Sequence, residues 1–228
     1  MQAIILADGD VDPRERLDAA WPGWLRPDAL VIAADGGARH AAALGLRIDR
    51  WVGDGDSLGE AGIDALIAAG VPVDRAPIDK DESDTELAVR HAIGTGATEI
   101  VVLGALGGTR VDHALANVML LAMPELAGID ARMLGVGARV RLLSAVRPES
   151  QARSVELDGR VGDLVTLLPL GVDVEGVTTS GLRYPLSDES LLAGRSRGLS
   201  NVRTSGSASV RIERGRLLIV EAPDTLSG

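Results

Sequence analysis

The chain has no cysteine and no phenylalanine, and three Trp and one Tyr are all its aromatic residues, 2% of 228 positions. Without cysteine there are no disulfides, no thiolate metal ligands and no Cys nucleophile. Without aromatics the core has to be built from Leu, Val, Ile and Ala, and a hydrophobic content of 46% is ample for a globular fold. No apolar run approaches the roughly 20 residues of a membrane span. The opening Met1-Gln2-Ala3-Ile4-Ile5-Leu6 lacks the basic segment of a secretory signal and runs straight into a strand pattern. A cytoplasmic protein with no membrane partner is expected. Basic charge is also scarce: 23 Lys and Arg face 33 Asp and Glu, a net charge of −10. Duplex affinity rests on Lys and Arg neutralising phosphates, so no nucleic-acid partner is expected and a small substrate, even a cationic one, fits better.

What is present first is alternation. Residues 3–7, 29–34, 51–52, 71–76 and 99–103 read as strands, and 37–44, 58–69, 84–93 and 111–122 as helices. Strand–helix alternation implies parallel pairing and an open α/β sheet, which binds ligands beyond the carboxyl ends of its strands. Asp8-Gly9, Asp35-Gly36-Gly37, Asp54-Gly55-Asp56, residues 79–84 and residues 104–108 all fall at that edge. After about residue 130 short strand candidates follow one another (131–134, 138–144, 154–157, 164–169, 173–178, 208–212 and 216–220), with Gly, Pro, Ser and Asp between them. That is the signature of an antiparallel sandwich or barrel. The expected organisation is an α/β domain with a mostly parallel sheet over 1–145, then a smaller antiparallel sandwich or barrel over 146–228.

Two acidic motifs carry the chemistry. Gly53-Asp54-Gly55-Asp56-Ser57 follows Trp51-Val52, and Asp79-Lys80-Asp81-Glu82-Ser83-Asp84 follows the strand at 71–76. Carboxylates at i and i+2 at the mouth of a parallel sheet suit Mg²⁺, which takes one or two carboxylates plus water and substrate phosphates. Each motif has a plainer reading. Ser57 can cap the helix at 58–69, and acids are favoured at the positive end of a helix dipole. Yet four crowded acids repel unless a cation sits among them, and Lys80 is either that neutraliser or a phosphate contact. Gly104-Ala105-Leu106-Gly107-Gly108-Thr109-Arg110 joins a strand to a helix, a place where backbone can approach an anion. It matches neither the P-loop nor G-x-G-x-x-G. Arg110 offers a bidentate phosphate partner; Asp112 orients it, joins the metal or caps the helix; Asn117 is a site residue or a polar helix position. His113 adjoins Asp112, but no Ser–His–Asp context supports it, and His40 and His91 read as exposed helix residues. Trp21 and Trp24 read as surface or packing residues of an early loop. Tyr184, in Ser180-Gly181-Leu182-Arg183-Tyr184-Pro185, is packing or a stacking surface for a flat heterocycle.

Taken in order, Ala34-Asp35-Gly36-Gly37-Ala38, Gly53-Asp54-Gly55-Asp56-Ser57, Asp79-Lys80-Asp81-x-x-Asp84 and Gly104-x-x-Gly107-Gly108-x-Arg110-x-Asp112-His113 resemble thiamine pyrophosphokinases. The likeness continues through Asn117, Thr179-Ser180-Gly181-Leu182-x-Tyr184 and Gly198-Leu199-Ser200-Asn201. It implies transfer of pyrophosphate from ATP to thiamine with release of AMP, an N-terminal three-layer α/β/α domain followed by a C-terminal β-sandwich, and a homodimer with shared active sites. It implies Mg²⁺ and phosphates at Asp54, Asp56 and Asp81, with Asp81 or Asp84 taking the hydroxyl proton. Arg110, Asp112, Asp35, Gly36, Gly37, Asp79, Lys80, Gly107, Gly108 and Asn117 would line the ATP site. Tyr184, Ser200, Asn201 and Ser180 would line the thiamine site. Tyr184 stands where some relatives carry Trp, and residues 8–28 contribute nothing to the likeness. The competing readings are a pyrophosphokinase for another heteroaromatic alcohol such as a hydroxymethylpterin, a metal-dependent hydrolase or glycosyl transferase, and a non-catalytic nucleotide-binding module.

Overall fold

Gln2–Leu6 (β1) and Glu99–Leu103 (β5) are buried along their whole length, the pattern of parallel strands covered on both faces. They pair with each other and are flanked by Leu30–Ala34 (β2), Arg50–Gly53 (β3) and Val73–Arg75 (β4) on one side and Asp130–Gly135 (β6) on the other. Every pairing in this set is parallel, in the order β6-β5-β1-β2-β3-β4. The computed structural model describes residues 1–146 and 152–224 and divides into two compact units, Met1–Val136 and Gly137–Gly228.

In the first unit side chains alternate across the strands. Ile4, Leu6, Val31, Val101 and Leu103 point to one face, where they pack with Leu17 of helix Arg14–Ala20 (α1), Trp21, Trp24, Ala41 and Leu44. The opposite face is covered by Asp84–Gly94 (α3), which packs on β1, β2 and β3 through a stripe containing Ala88, Val89 and Ala92. Glu60–Ala68 (α2) covers Trp51 with Ile63, and Val111–Leu120 (α4) lies beside α3. Trp21 and Trp24 are therefore core residues, not surface ones: each is almost wholly buried, and their indole N–H groups donate to Gly135 O at 2.7 Å and Asp18 Oδ1 at 2.8 Å. The helix expected at 37–44 is a single 3-10 turn, Asp35–His40. Neither His40 nor His91 is exposed; both are half-buried.

In the second unit Ala138–Ala145 (β7), Arg153–Asp158 (β8), Leu164–Pro169 (β9), Val174–Ser180 (β10), Glu189–Leu191 (β11), Asn201–Val202 (β12), Ser207–Ile212 (β13) and Gly215–Ala222 (β14) form two antiparallel layers. The orders are β12-β9-β14-β7 and β11-β10-β13-β8. Between them lie Leu157, Val165, Leu167, Val177, Val210, Ile212, Leu217 and Ile219, an aliphatic core free of aromatic rings. Glu221 is buried and takes two hydrogen bonds from Arg139, at 2.8 and 2.7 Å. Among the described residues no helix is long and apolar enough to cross a membrane.

Gly37 shows how tightly the first unit is closed near β1. A β-carbon there would lie 2.0 Å from the carbonyl oxygen of Leu6. Gly37→Ala should therefore cost about 1–3 kcal/mol, as overpacking does. A urea midpoint equal to that of the parent would refute the close approach.

Candidate active site

In the first unit the chain runs outward from β1 through β2, β3 and β4, then returns to the other side of β1 at β5. The direction of winding reverses between β1 and β5, the place where open parallel sheets bind ligands. The loops leaving β1, β2, β3 and β5 meet there.

Asp35 organises the group. It follows β2 with a left-handed φ of 40°, a conformation that short polar residues tolerate best among those with a side chain. Its carboxylate turns inward and is almost completely buried. Oδ2 accepts the Ser57 N–H at 3.0 Å, Oδ1 the Leu58 N–H at 3.2 Å, and its carbonyl oxygen the Trp51 indole N–H at 3.0 Å. Burial raises its pKa, opposed by the two backbone N–H groups and reinforced by a hydrogen bond shared with Asp56. Ser57 is thus not the helix cap expected from sequence. Helix α2 begins at Glu60 after Gly59 with no side-chain cap, and the Ser57 hydroxyl donates instead to Asp56 Oδ1 at 3.1 Å. The cap motif is found instead at α3, where Ser83 Oγ accepts the Glu86 N–H at 3.1 Å.

Asp54 lies on the next loop. Its Oδ2 is 2.6 Å from Lys80 Nζ, and its Oδ1 accepts the Asp56 N–H at 3.1 Å. Lys80 reaches on to Asp84 Oδ1 at 3.1 Å. Carboxylate oxygens of Asp35, Asp54 and Asp84 lie within 4.8 Å of one another. The Lys80 hydrogen bond holds the Asp54 carboxyl below its usual range. Burial pushes Asp84 up, against the pull of Lys80. For Lys80 itself burial disfavours the ammonium, but Asp54 and Asp84 outweigh it and the pKa rises. Asp56, Asp79 and Asp81 are exposed. The structure thus brings Asp54, Lys80 and Asp84 together with Asp35, and leaves Asp79 and Asp81 outside that compact group.

On the glycine-rich loop, Arg110 and Asp112 form a two-pronged pair, Nε–Oδ1 at 2.9 Å and Nη2–Oδ2 at 2.5 Å, open to solvent. Asp112 therefore orients Arg110, and that guanidinium holds its carboxyl well below the usual carboxylate range. Asn117 is buried, and its amide donates to Ala105 O at 3.2 Å, which fixes the loop that holds Gly107 and Gly108. Sequence reasoning placed Asp8 at the sheet edge without giving it a role, and missed Asp10 and Arg39. Asp10 Oδ2 accepts the Gly108 N–H at 3.0 Å, and Arg39 pairs with Asp8. The position of Asp8-Gly9-Asp10 directly after a strand was the only signal for them.

The second unit assembles a separate group. Tyr184 is 64% exposed. Its backbone is gripped by Asn201, whose Oδ1 accepts the Tyr184 N–H at 3.0 Å and whose Nδ2 donates to the Tyr184 carbonyl at 2.7 Å. Ser200, with a left-handed φ of 55°, donates its N–H to Thr166 Oγ1 at 2.9 Å. Ser180 Oγ is 2.8 Å from Ser209 Oγ. Tyr184, Ser200 and Asn201 come together; the Ser180 hydroxyl is engaged with Ser209 on the neighbouring strand.

The oxygen-only donor set of the acidic loops fits a hard cation such as Mg²⁺. The same crowding makes Lys80 a sensitive position. In Lys80→Met the folded state would bind protons more tightly than the unfolded chain, so its stability should fall as pH rises. The urea midpoint should lie well below the parent's at about pH 7.5 and approach it near about pH 4, where carboxyls protonate. A deficit that does not change with pH would show that Lys80 does not neutralise the cluster.

Comparison with known proteins gives the following. The family model described as "Thiamin pyrophosphokinase, catalytic domain" matches residues 24–132, and that described as "Thiamin pyrophosphokinase, vitamin B1 binding domain" matches residues 154–217. The chain is 23% identical to the thiamine pyrophosphokinase of Bacillus subtilis over 202 residues, 89% of this chain and 91% of that one. It is 28% identical to thiamine pyrophosphokinase 1 of Arabidopsis thaliana over 196 residues, 76% of this chain and 70% of that one. Among solved structures, the thiamin pyrophosphokinase of Geobacillus thermodenitrificans aligns with a TM-score of 0.78 at 26% identity, covering 99% of both chains. The enzyme of Bacillus subtilis aligns with a TM-score of 0.81 at 22% identity, covering 98% of this chain and all of that one.

Proposed function

The chain belongs to the thiamine pyrophosphokinase family, and on that premise we infer that it transfers the pyrophosphoryl group of ATP to the hydroxyl of thiamine, giving thiamine diphosphate and AMP. The observation that carries this is the coincidence, in one chain, of both family domains in order with convergent acidic and glycine-rich loops at the winding reversal of the sheet. Both matching descriptions name thiamin or vitamin B1, so another heteroaromatic alcohol is not favoured. ATP as co-substrate makes the cytoplasm the natural location.

Such a transfer needs little covalent help from protein; positioning and charge neutralisation supply most of it. Asp54, Asp56 and Asp81 are assigned to Mg²⁺. Asp54 anchors the site from within the compact group, while Asp56 and Asp81 are exposed and accessible to an ion arriving with a nucleotide. Asp35 differs: both of its oxygens already accept backbone N–H groups, so its task is to hold the Asp54 loop. Bound Mg²⁺ would neutralise phosphate oxygens and invert the electrostatics of an otherwise acidic rim. Arg110, pre-aimed by Asp112, presents a planar fork to phosphate oxygens from the other side. Lys80 and the glycines at 36, 37, 107 and 108 complete the ATP side, with Asp79 at the rim. Of the two candidate proton acceptors, Asp84 is the one beside Asp54 and Lys80, and burial raises its pKa.

For the thiamine side, Tyr184 is the stacking surface, with Ser200 and Ser180 nearby in the same unit. Asn201 presents Tyr184 by holding its backbone. A homodimer with shared active sites is part of the same proposal. Val111, Leu115 and Met119 form an exposed apolar stripe on α4, at 70%, 59% and 50% exposure, a surface that a second copy would cover.

The decisive measurement is the product made from Mg²⁺–ATP and thiamine. AMP together with thiamine diphosphate is expected; ADP or phosphate would refute the assignment. Asp54→Asn, Asp56→Asn and Asp81→Asn should each lower turnover by orders of magnitude, with little change in melting temperature at the exposed Asp56 and Asp81. Parent-like rates in all three would overturn the metal assignment.

Tyr184→Ala should raise the KM for thiamine roughly tenfold if the ring stacks as bases do on aromatics, an interaction of about 1–3 kcal/mol, and leave the KM for ATP near its parent value. Mixing inactive Asp56→Asn chains with inactive chains carrying Tyr184→Ala and Asn201→Ala should restore activity. No recovery despite demonstrated subunit exchange would mean that each chain builds its site alone.

A further inference from the structure

We propose that Asp8 and Arg39 form a positioning pair that ties the acidic loop after β3 to the glycine-rich loop after β5. The proposal rests on the reading of that rim as the ATP and metal site. Arg39 leaves the 3-10 turn after β2 and uses its guanidinium twice. Nη2 donates to Asp8 Oδ1, and Nη1 donates to the carbonyl oxygen of Ser57 at 3.1 Å. Ser57 is the residue whose N–H is taken by Asp35 Oδ2 at 3.0 Å. The acidic loop is therefore gripped at both backbone groups of one residue, by a carboxylate from inside and a guanidinium from outside.

The second half of the path runs through the short loop that follows β1. From Asp8 it passes to Gly9, whose N–H donates to Gly104 O at 3.0 Å, and to Asp10, whose Oδ2 accepts the Gly108 N–H at 3.0 Å. Gly108–Asp10–Asp8–Arg39–Ser57 is thus a continuous chain of bonds across the winding reversal. Gly36 leaves room for it: a β-carbon there would lie 2.2 Å from Asp8 Oδ1 and 2.8 Å from Arg39 Nη1. In the pair, Arg39 is 51% and Asp8 41% exposed, and ion pairs in such settings contribute little to stability. What the rigid fork fixes is direction, because one planar group holds two acceptors on different loops.

The test compares Asp8→Asn, Arg39→Gln, their combination and Arg39→Lys. Steady-state kinetics, Mg²⁺ titration by calorimetry and amide hydrogen exchange are read on each. Partners that orient metal ligands typically change affinity or activity about 10–100-fold. Each single change should lower kcat by about that factor and raise the half-saturating Mg²⁺, with the KM for thiamine unchanged. The double variant should be no worse than the worse single one, as for residues acting as one unit. Arg39→Lys should fail to rescue, and the Ser57 amide should exchange faster while strand amides and the melting temperature hold. Additive losses, or a loss confined to the KM for ATP with Ser57 exchange unchanged, would overturn the proposal; the latter would make Arg39 a phosphate contact. If the parent protein released no AMP, the functional reading would fail, while amide exchange and Mg²⁺ binding would still judge the pair.

Discussion

The first unit's site depends on one buried carboxylate. Asp35 stands at the end of β2 in a left-handed conformation and takes the backbone N–H groups of Ser57 and Leu58 from the loop after the neighbouring strand. A carboxylate in that place would be costly without partners. With them it converts two loops into one object. Asp54 and Asp56 lie shortly before the residues that Asp35 holds, so their placement follows from bonds made one to four positions away. The close approach of Gly37 to the Leu6 carbonyl brings the same turn against the end of β1, which leaves little freedom for the DGG segment.

Charge crowding is the second constraint. Asp35, Asp54 and Asp84 gather oxygens within 4.8 Å, and an ammonium is inserted between Asp54 and Asp84, with both of these side chains and Lys80 largely shielded from water. Lys80 stands in the non-helical segment before α3, between the Asp54 carboxylate and the Asp84 carboxylate that opens the helix. The acidic sequence is thus not a solvated helix start alone. Part of it is a compact cluster partly offset by one ammonium, and part, at Asp56, Asp79 and Asp81, faces solvent.

In the second unit the same economy is visible with neutral groups. Asn201 spends its amide on the backbone of Tyr184, and a residue that reads from sequence as a ligand contact acts first as a support. The exposed ring is thereby held on a strand-end scaffold rather than on a free loop, the arrangement that gives a recognition surface its precision. Deeper in this unit Glu221 places charge at the margin of an aliphatic core, where Arg139, Arg141 and Arg203 surround it.

Residues 131–134 read as the first of the antiparallel strands, yet they belong to β6 and pair in parallel with β5. The parallel strands β1 to β5 and the acidic and glycine-rich motifs were legible in the sequence, because side-chain period and turn chemistry are local properties. So were Tyr184 and the Ser200-Asn201 pair, as isolated polar and aromatic residues in a stretch otherwise made of strands. Helix α1 was not read, although Leu17 and Trp21 have helical spacing, because it is short and lies among Pro and Gly. Tertiary structure alone decided that Ser57 serves Asp35 and not a helix, that Lys80 bridges Asp54 and Asp84, that Arg39 bonds Asp8 and Ser57, and that Asp10 bonds Gly108. Apart from Lys80–Asp84, these are contacts between segments separated by 18 to 98 residues. Local pattern names the residues that reach a sheet edge; which of them face one another is fixed by strand order, and here that order places the first loop of the chain beside the fifth.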